Sequence, residues 1–315
     1  MKIIVIGGMT LTVAVIETLC KIGVHPIAAV GYPIKFESRS NYESLQNAAK
    51  RYKIPLLESE DINGSAVKTF ISRFSVDWLV VAGWSQLLRK EILDIPLFGT
   101  LGFHMSKLPE GRGRAPVAWT LIKNRKLAWV TLQWLSSGVD DGDIALQAST
   151  TVNVFDDASS VVKKVNSLSA DMIRTAVPLM RLGELPRNPQ DGKRATYWPI
   201  RRPADGRIDW QLDAKVLYDF IRGITYPFPG AFFIFQGEKF KVINCGFISA
   251  IVHTICGSVV NFYIAHGEDK RDFGIVVSVN SGFIILRELE NEEGVRFKGF
   301  QLKQITKTWI GQVLQ

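Results

Sequence analysis

The sequence predicts an α/β protein in which a mostly parallel sheet, with helices on both faces, is followed by a small β-barrel-like domain. First, short β-branched runs alternate with segments of helical periodicity between Ile3 and Leu182. Second, a polar stretch rich in glycine and proline interrupts this pattern. Third, from Ala231 onward the apolar runs are short, β-rich and separated by turn residues.

The first domain opens with a strand, a turn and a helix. Residues 3–6 are a β-branched run followed by two glycines, and residues 10–22 carry apolar side chains at helical spacing. The later elements are expected, in chain order, at 25–30 (strand), 42–53 (helix), 78–82 (strand), 87–93 (helix), 100–103 (strand), from Pro116 (helix), 128–134 (strand) and 159–182 (helix). Ligands of such sheets bind at the carboxyl ends of the strands.

The length and the turn residues predict two domains. A chain of 315 residues is too long for a single average core. We expect a first domain over residues 1–183, a linker over 184–204 and a β-rich, barrel-like domain over 205–315. The glycines and prolines of the polar stretch are Gly183, Pro186, Pro189 and Gly192, and the turns of the last domain are expected at Gly237, Gly257, Asn280 and Gly282.

Composition limits the class of site. The three cysteines form no CxxC pair and the four histidines no HExxH group, so we predict neither a disulfide framework nor a metal site. The formal net charge of +8 favours an anionic partner such as a nucleotide, a phosphorylated sugar or RNA, although it also serves solubility alone.

Residues 242–267 carry no formally charged side chain and are long enough to cross a bilayer. They are interrupted by glycine and asparagine and are rich in valine and isoleucine, which favours two buried strands joined by a turn. The amino terminus reads as a first strand and not as a secretory signal. We therefore expect a cytoplasmic protein that does not associate with membranes.

The first candidate site is the segment from His104 to Pro116. A strand-end histidine is followed there by a proline turn and a segment rich in glycine and arginine that leads into a helix. Such a loop can hold an anionic or carbonyl-bearing ligand against backbone donors. A histidine with satisfied hydrogen bonds in an ordinary loop is the other interpretation.

The second candidate site is the segment 137–144, in which Asp140, Asp141 and Asp143 lie among glycines. A calcium loop needs ligands at alternate positions and a closing glutamate, which this segment lacks. A carboxylate beside a histidine can instead fix its tautomer and raise its basicity, as a general base for amine attack requires.

Together the two segments resemble the folate-dependent formyltransferase family, whose motif Asn-x-His-x-Ser-x-Leu-Pro-x-x-x-Gly is followed by Val-Asp-x-Gly-Asp. The matching residues are His104, Ser106, Leu108, Pro109 and Gly113, then Val139, Asp140, Gly142 and Asp143. Segments 197–199, 205–210, 221–223 and 227–232 resemble the second half of the longer members. The resemblance is therefore to the two-domain branch, with a Rossmann-like first domain that binds formyl-folate and catalyses the reaction.

The resemblance implies that a substrate amine attacks the formyl carbon of N10-formyltetrahydrofolate through a tetrahedral intermediate. His104 is expected to act as base or donor, and Asp140 to orient it. The residues expected to bind the folate are Trp84, Gln86, Leu87, Leu88, Val139 and Asp140. The residues expected to bind the substrate are Ser106, Pro109, Arg112, Gly113 and Arg114.

One position departs from the family pattern. Gly102 stands where the family has the asparagine of its catalytic triad, so no side chain there can donate to a developing oxyanion. A protonated His104, a backbone N–H, an ordered water or a nearby side chain could replace it. In this departure the chain resembles formyltransferases that act on activated nonulosonic acids of the pseudaminic type, so the resemblance implies such an acid as one candidate acceptor. A catalytically impaired, folate-binding regulatory module is a further alternative.

The segment that follows the second strand is the basis for predicting the acceptor. Methionyl-tRNA formyltransferases carry a basic insertion there, whereas residues 31–40 are short and nearly charge balanced. We therefore expect a nucleotide-linked amino sugar (CMP-, UDP- or dTDP-linked) as acceptor, with methionyl-tRNA as the alternative and nucleic acid as an unlikely partner. A homodimer through the second domain is also expected. A basic run near the linker is either a solvated connector or a phosphate contact; it comprises Lys193, Arg194, Arg201, Arg202 and Arg207.

Overall fold

The computed structural model describes residues 1–38, 40–266 and 271–315. The described residues form two compact units. The first unit contains Met1–Val117, Lys126–Val152 and Val161–Ile200, and the second contains Ala118–Arg125, Asn153–Ser160 and Arg201–Gln315.

The first unit is built on a mostly parallel sheet. Its strands are β1 (Ile3–Gly7), β2 (Ala28–Gly31), β3 (Leu56–Glu58), β4 (Trp78–Ala82), β5 (Gly99–His104), β7 (Leu127–Trp134) and β8 (Ile144–Thr151), in the order β3-β2-β1-β4-β5-β7-β8. The pairs from β3 to β5 are parallel, whereas β7 and β8 are antiparallel additions. Every residue of β1 and β4 is buried, as expected for central strands covered on both faces.

Helices connect these strands. They are α1 (Thr10–Lys21), α2 (Gln46–Tyr52), α3 (Ser65–Ser72), α4 (Lys90–Leu93), α5 (Pro116–Ile122) and α6 (Ala158–Leu182), of which α5 and α6 each cross a boundary between the units. In α3, Val67 and Ile71 lie on one face four residues apart and are both fully buried. They pack in a hydrophobic cluster with residues of the parallel strands.

The order of the strands determines where a site can form. The parallel strands β1, β4 and β5 end at Gly7, Ala82 and His104, so their carboxyl ends share one edge of the sheet. Beyond β5, a short strand β6 (Arg112–Gly113) pairs with β9 (Tyr197–Trp198) of the following segment. The segment after His104 is therefore held by residues that lie 85 positions later in the sequence.

The second unit is an antiparallel sheet with two short helices. Its elements are α7 (Ala214–Ile224), β10 (Ala231–Phe235), β11 (Glu238–Ser249), β12 (Val259–His266), β13 (Arg271–Val279), β14 (Gly282–Glu290), β15 (Arg296–Lys298) and α8 (Gly299–Thr306). The order is β10-β11-β14-β13-β12, with β15 paired to β14. Gln236 and Gly237 both have positive φ (52° and 84°), which suits the two-residue turn between β10 and β11.

The predicted fold class, a mostly parallel α/β domain followed by a small β-rich domain, is confirmed. Residues 242–249 belong to β11 and residues 259–266 to β12, so two strands form here as predicted; most of residues 242–249 are half-buried or exposed, however, and Gly267 lies outside the described residues. Within the ranges that the structure describes, no helix has both the length and the apolar character needed to cross a bilayer.

Candidate active site

His104 is the last residue of β5 and is almost completely buried. Its Nε2 lies 2.8 Å from the carbonyl oxygen of Gly111, and its Nδ1 lies 3.5 Å from Oδ1 of Asp140. Both ring nitrogens therefore face oxygen acceptors. A ring with a hydrogen on each nitrogen satisfies both contacts, and a neutral ring satisfies one of them.

Asp140 is held from several sides. Its backbone has a φ of +49°, in the left-handed region, at the point where the loop after β7 turns. Its Oδ2 accepts a hydrogen bond of 2.9 Å from the N–H of Gly113, and its Oδ1 accepts one of 3.1 Å from Nε2 of Gln133. The structure thus brings the predicted pair His104 and Asp140 together and orients the carboxylate towards the ring.

Side chains of β7 and β8 hold the segment between His104 and Pro109 through hydrogen bonds to its backbone carbonyls. Thr131, opposite His104 in the strand register, donates its hydroxyl to the carbonyl of Ser106 at 2.7 Å. Gln147 Nε2 donates to the carbonyl of Leu108 at 2.8 Å. The hydroxyl of Ser106 donates to the carbonyl of Glu110 at 2.8 Å, so this predicted substrate-binding side chain shapes its own loop.

Arg112, another predicted substrate-binding residue, is buried and bonded to protein groups. Its Nε and Nη2 donate to Oε1 of Gln190 at 3.2 and 2.8 Å, and its Nη1 donates to the hydroxyl of Tyr197 at 3.2 Å. Gln190 Nε2 in turn donates to the carbonyls of Asp140 and Gly142 at 2.9 and 2.7 Å. Gln190 therefore connects the Arg112 loop to the Asp140 loop.

Gly113 and Arg114 complete the loop. Gly113 has a φ of +100°, and a Cβ there would lie 2.6 Å from the carbonyl oxygen of Trp198, so this position requires glycine. Arg114 is exposed, and its Nη1 donates to the carbonyl of Ser85 at 2.6 Å. The carbonyl of Pro109 accepts a hydrogen bond of 3.3 Å from Thr196 N–H. The segment around residue 196 thus runs along the loop.

The predicted folate segment follows β4. The indole of Trp84 stacks on Tyr32 with ring centroids 3.8 Å apart, and its buried Nε1 has no hydrogen-bond partner among the described residues. The side-chain amide of Gln86 bonds to backbone groups of this chain: its Nε2 donates to the Glu60 carbonyl, and its Oε1 accepts from the Ile62 N–H.

The predicted folate residues differ in what they expose. Leu88 is buried, whereas Leu87 and Val139 are exposed apolar side chains. The two exposed apolar side chains suit contact with a flat heteroaromatic ligand, whereas the indole nitrogen of Trp84 is itself buried. The roles of the individual residues stay predictions.

Comparison with known proteins identifies the family. Residues 1–177 match the model described as "Formyl transferase", and residues 201–304 match "Formyl transferase, C-terminal domain". The chain belongs to the formyltransferase family. Both matches together place it in the two-domain branch.

Relatives of this formyltransferase match along nearly its whole length. The methionyl-tRNA formyltransferase of Syntrophus aciditrophicus is 30% identical over 317 residues, covering 99% of this chain and 98% of the relative. Among solved structures, the N-formyltransferase from Helicobacter canadensis, in complex with folinic acid and dTDP-3-aminofucose, superposes with a TM-score of 0.64 at 15% identity, covering 91% and 98% of the two chains. HypX from Aquifex aeolicus in complex with tetrahydrofolic acid gives 0.64 at 15% identity, covering 99% of this chain and 48% of HypX.

These comparisons establish the reaction class. The formyltransferase is an enzyme that transfers a formyl group to an amine and uses N10-formyltetrahydrofolate as co-substrate. The solved structures at 15% identity show the fold alone.

The predicted acceptor, a nucleotide-linked amino sugar, is wrong, and no comparison supports a nonulosonic acid. Relatives that cover almost the entire chain at 27–30% identity are named methionyl-tRNA formyltransferases. The prediction used the short segment 31–40 as evidence against RNA, yet phosphate contacts can come from any exposed basic side chains. In that segment Lys35 forms an ion pair with Glu60, and Arg39 lies outside the described residues.

Sequence reasoning did not single out the glutamines and the threonine that organise this site. Thr131 and Gln133 are polar residues at alternate positions of an otherwise apolar strand, which places both on one face. That alternation was a readable signal. No comparable signal marks Gln190, which lies in an irregular segment.

Proposed function

We propose that this enzyme formylates the amino group of methionyl-tRNA. The observation that carries the proposal is the similarity, at 30% identity over 99% of this chain and 98% of the relative, to a methionyl-tRNA formyltransferase. The similarity includes both domains of the chain. A cytoplasmic location, where aminoacylated tRNA is made, is part of this proposal; the homodimer stays a prediction.

The chemistry needs a group that manages one proton. When bound, N10-formyltetrahydrofolate supplies an electrophilic formyl carbon and a tetrahydrofolate leaving group. The amine nitrogen forms a bond to that carbon, the bond from the carbon to N10 breaks, and one proton passes from the amine to N10. His104 would carry this proton, and Asp140, 3.5 Å from Nδ1, would hold the ring in orientation.

Exposed basic side chains on and beside the loop support an RNA acceptor. Lys107 and Arg114 are exposed within the loop, and Lys193 and Arg194 are exposed in the segment that runs along it. Arg194 lies 3.6 Å from Glu110 of the loop. These four exposed cations lie within or beside the loop that follows His104, and they suit a phosphodiester backbone whose aminoacyl end must reach His104.

The test is a mass-spectrometric assay with N10-formyltetrahydrofolate and methionyl-tRNA. We expect the wild type to add one formyl group to the methionyl amine and the His104→Ala variant to be about 10²–10⁴-fold slower. His25→Ala, which changes an exposed histidine outside the site, is the matched control and should retain full activity. If the wild type binds the folate but forms no formyl-methionyl-tRNA, the proposed acceptor is wrong.

A further inference from the structure

Gly102 lies in β5 opposite Gln133 of β7, and His104 lies opposite Thr131. Residues two apart in a strand share a face, and directly paired residues of antiparallel strands share it too. Gln133 therefore projects from the face that carries His104. It does so next to the position where Gly102 contributes no side chain.

The amide of Gln133 is buried and only partly satisfied. The side chain is 1% exposed, and its Nε2 donates to Oδ1 of Asp140, the oxygen that faces His104 Nδ1. Its Oε1 is buried and has no hydrogen-bond partner among the described residues. A buried acceptor without a donor costs about 1–3 kcal/mol, and an apolar side chain of the same size would avoid that cost. Packing alone does not account for an amide here.

The Leu135 side chain leaves no space for an amide side chain at position 102. A Cβ at Gly102 would lie 2.6, 2.9 and 3.0 Å from three side-chain carbons of Leu135. Leu135 therefore fills the position from which a residue 102 side chain would reach the site. An amide can instead reach the centre from the neighbouring strand.

We propose that Gln133 is the catalytic side-chain amide of this enzyme. One Nε2 hydrogen holds Asp140 Oδ1, and the second donates to the formyl oxygen as negative charge develops on it during amine attack. The proposal rests on formyl transfer at His104 and not on the identity of the acceptor. It names the nearby side chain that compensates for the missing asparagine.

The first test needs no acceptor. The probe is N10-formyltetrahydrofolate with a ¹³C-labelled formyl group, observed by infrared difference spectroscopy. Its formyl carbonyl stretch should lie at a lower frequency when it is bound to the wild type than when it is dissolved in an aprotic solvent. Gln133→Leu should raise that frequency, and the exposed control Gln211→Leu should leave it unchanged. Equal frequencies in wild type and Gln133→Leu, with folate bound to both, would overturn the proposal even if methionyl-tRNA is not the acceptor.

The second test is kinetic and uses whichever amine the wild type formylates. Gln133→Leu should lower kcat by about 10²–10³-fold while leaving KM for the folate within a few-fold. Adding Gly102→Asn with Leu135→Ala to Gln133→Leu places an amide on the other strand and should recover at least about tenfold in kcat. If the triple variant folds and binds folate but recovers neither kcat nor the infrared shift, the Gln133 amide has a structural role only.

Discussion

Gly102 and Gln133 face each other across the antiparallel pair of β5 and β7, so the strand that ends in His104 lacks a side chain where its neighbour carries a buried amide. The pair is separated by 31 positions in sequence, and only the register of the strands brings it together. Leu135, the first residue after that neighbouring strand, occupies the remaining space at Gly102.

The contact between Gly102 and Leu135 predicts coupled stability effects. Gly102→Ala should reduce the free energy of unfolding by about 1–3 kcal/mol, because the new Cβ overlaps the Leu135 side chain. In urea unfolding, the double variant Gly102→Ala/Leu135→Ala should lose less than the sum of the two single losses, by at least about 0.5 kcal/mol. Strict additivity would show that Leu135 does not fill this position in solution.

Asp140→Asn should lower kcat by about 10²-fold or more and change folate affinity little, because it keeps the size of the side chain but removes the charge facing His104 Nδ1. A quenched formyl transfer assay measures kcat, and calorimetric titration with 5-formyltetrahydrofolate measures folate affinity. Asp141→Asn alters an exposed carboxylate of the same loop and is the control. A full loss of folate binding in Asp140→Asn would assign the residue to binding instead of orientation.

Gln190→Leu should destabilise the protein by about 1–3 kcal/mol, because Nε and Nη2 of the buried Arg112 guanidinium lose their acceptor, while Nη1 keeps the hydroxyl of Tyr197. It should also lower kcat, since the carbonyls of Asp140 and Gly142 lose the donor that joins them to the Arg112 loop. Urea unfolding and a formyl transfer assay test both effects. The exposed Gln301→Leu should change neither, and an unchanged kcat in Gln190→Leu would show that the connection serves stability alone.

Salt dependence tests the proposed RNA contact. For the variant Lys193→Ala/Arg194→Ala, the slope of log affinity for methionyl-tRNA against log salt concentration should be shallower by about 1–2, because each lost phosphate contact releases roughly one counterion fewer. Filter binding across a salt series measures the slope. Lys50→Ala/Arg51→Ala, exposed on α2, is the charge-matched control. Equal slopes in all three proteins would remove Lys193 and Arg194 from the interface.

Glu290 predicts a pH dependence of stability in the second unit. Burial acts to raise the pKa of its carboxyl, but hydrogen bonds from Arg296 and Lys241 outweigh burial and hold the pKa below its usual value. A carboxyl whose pKa is lower in the folded state stabilises the folded protein at pH values above its unfolded-state pKa. This stabilisation is lost as the pH falls through the folded-state pKa. At pH 7, Glu290→Gln should be less stable than wild type by about 1 kcal/mol.

The difference should disappear in acid. Below about pH 4 the wild-type carboxyl is increasingly protonated, so the unfolding free energies of the two proteins should converge. Thermal or urea unfolding from pH 3 to 7 measures this. Glu292→Gln, an exposed carboxylate nearby in sequence, should follow the wild type throughout. A constant gap between wild type and Glu290→Gln at all pH values would contradict the assignment.

Periodicity predicted the strongly patterned elements well and the edges poorly. The predicted strand at residues 78–82 coincides with β4, and the helix at 159–182 begins one residue earlier in α6. The prediction missed α3, and it missed β3 and β8 at the two edges of the sheet. An edge strand is covered incompletely, so its residues need not be apolar, as the largely half-buried β8 shows.

The sequence by itself determined the fold class, the formyl-transfer chemistry and the candidate pair His104 and Asp140, because apolar periods and a spaced motif are local properties of a chain. Tertiary structure decided what surrounds that pair. Strand register placed Gln133 beside Gly102, and an irregular segment brought Gln190 between the two loops. A hydrogen-bond partner is chosen by spatial approach and not by spacing along the chain, so amide side chains of this kind become visible only in the folded protein.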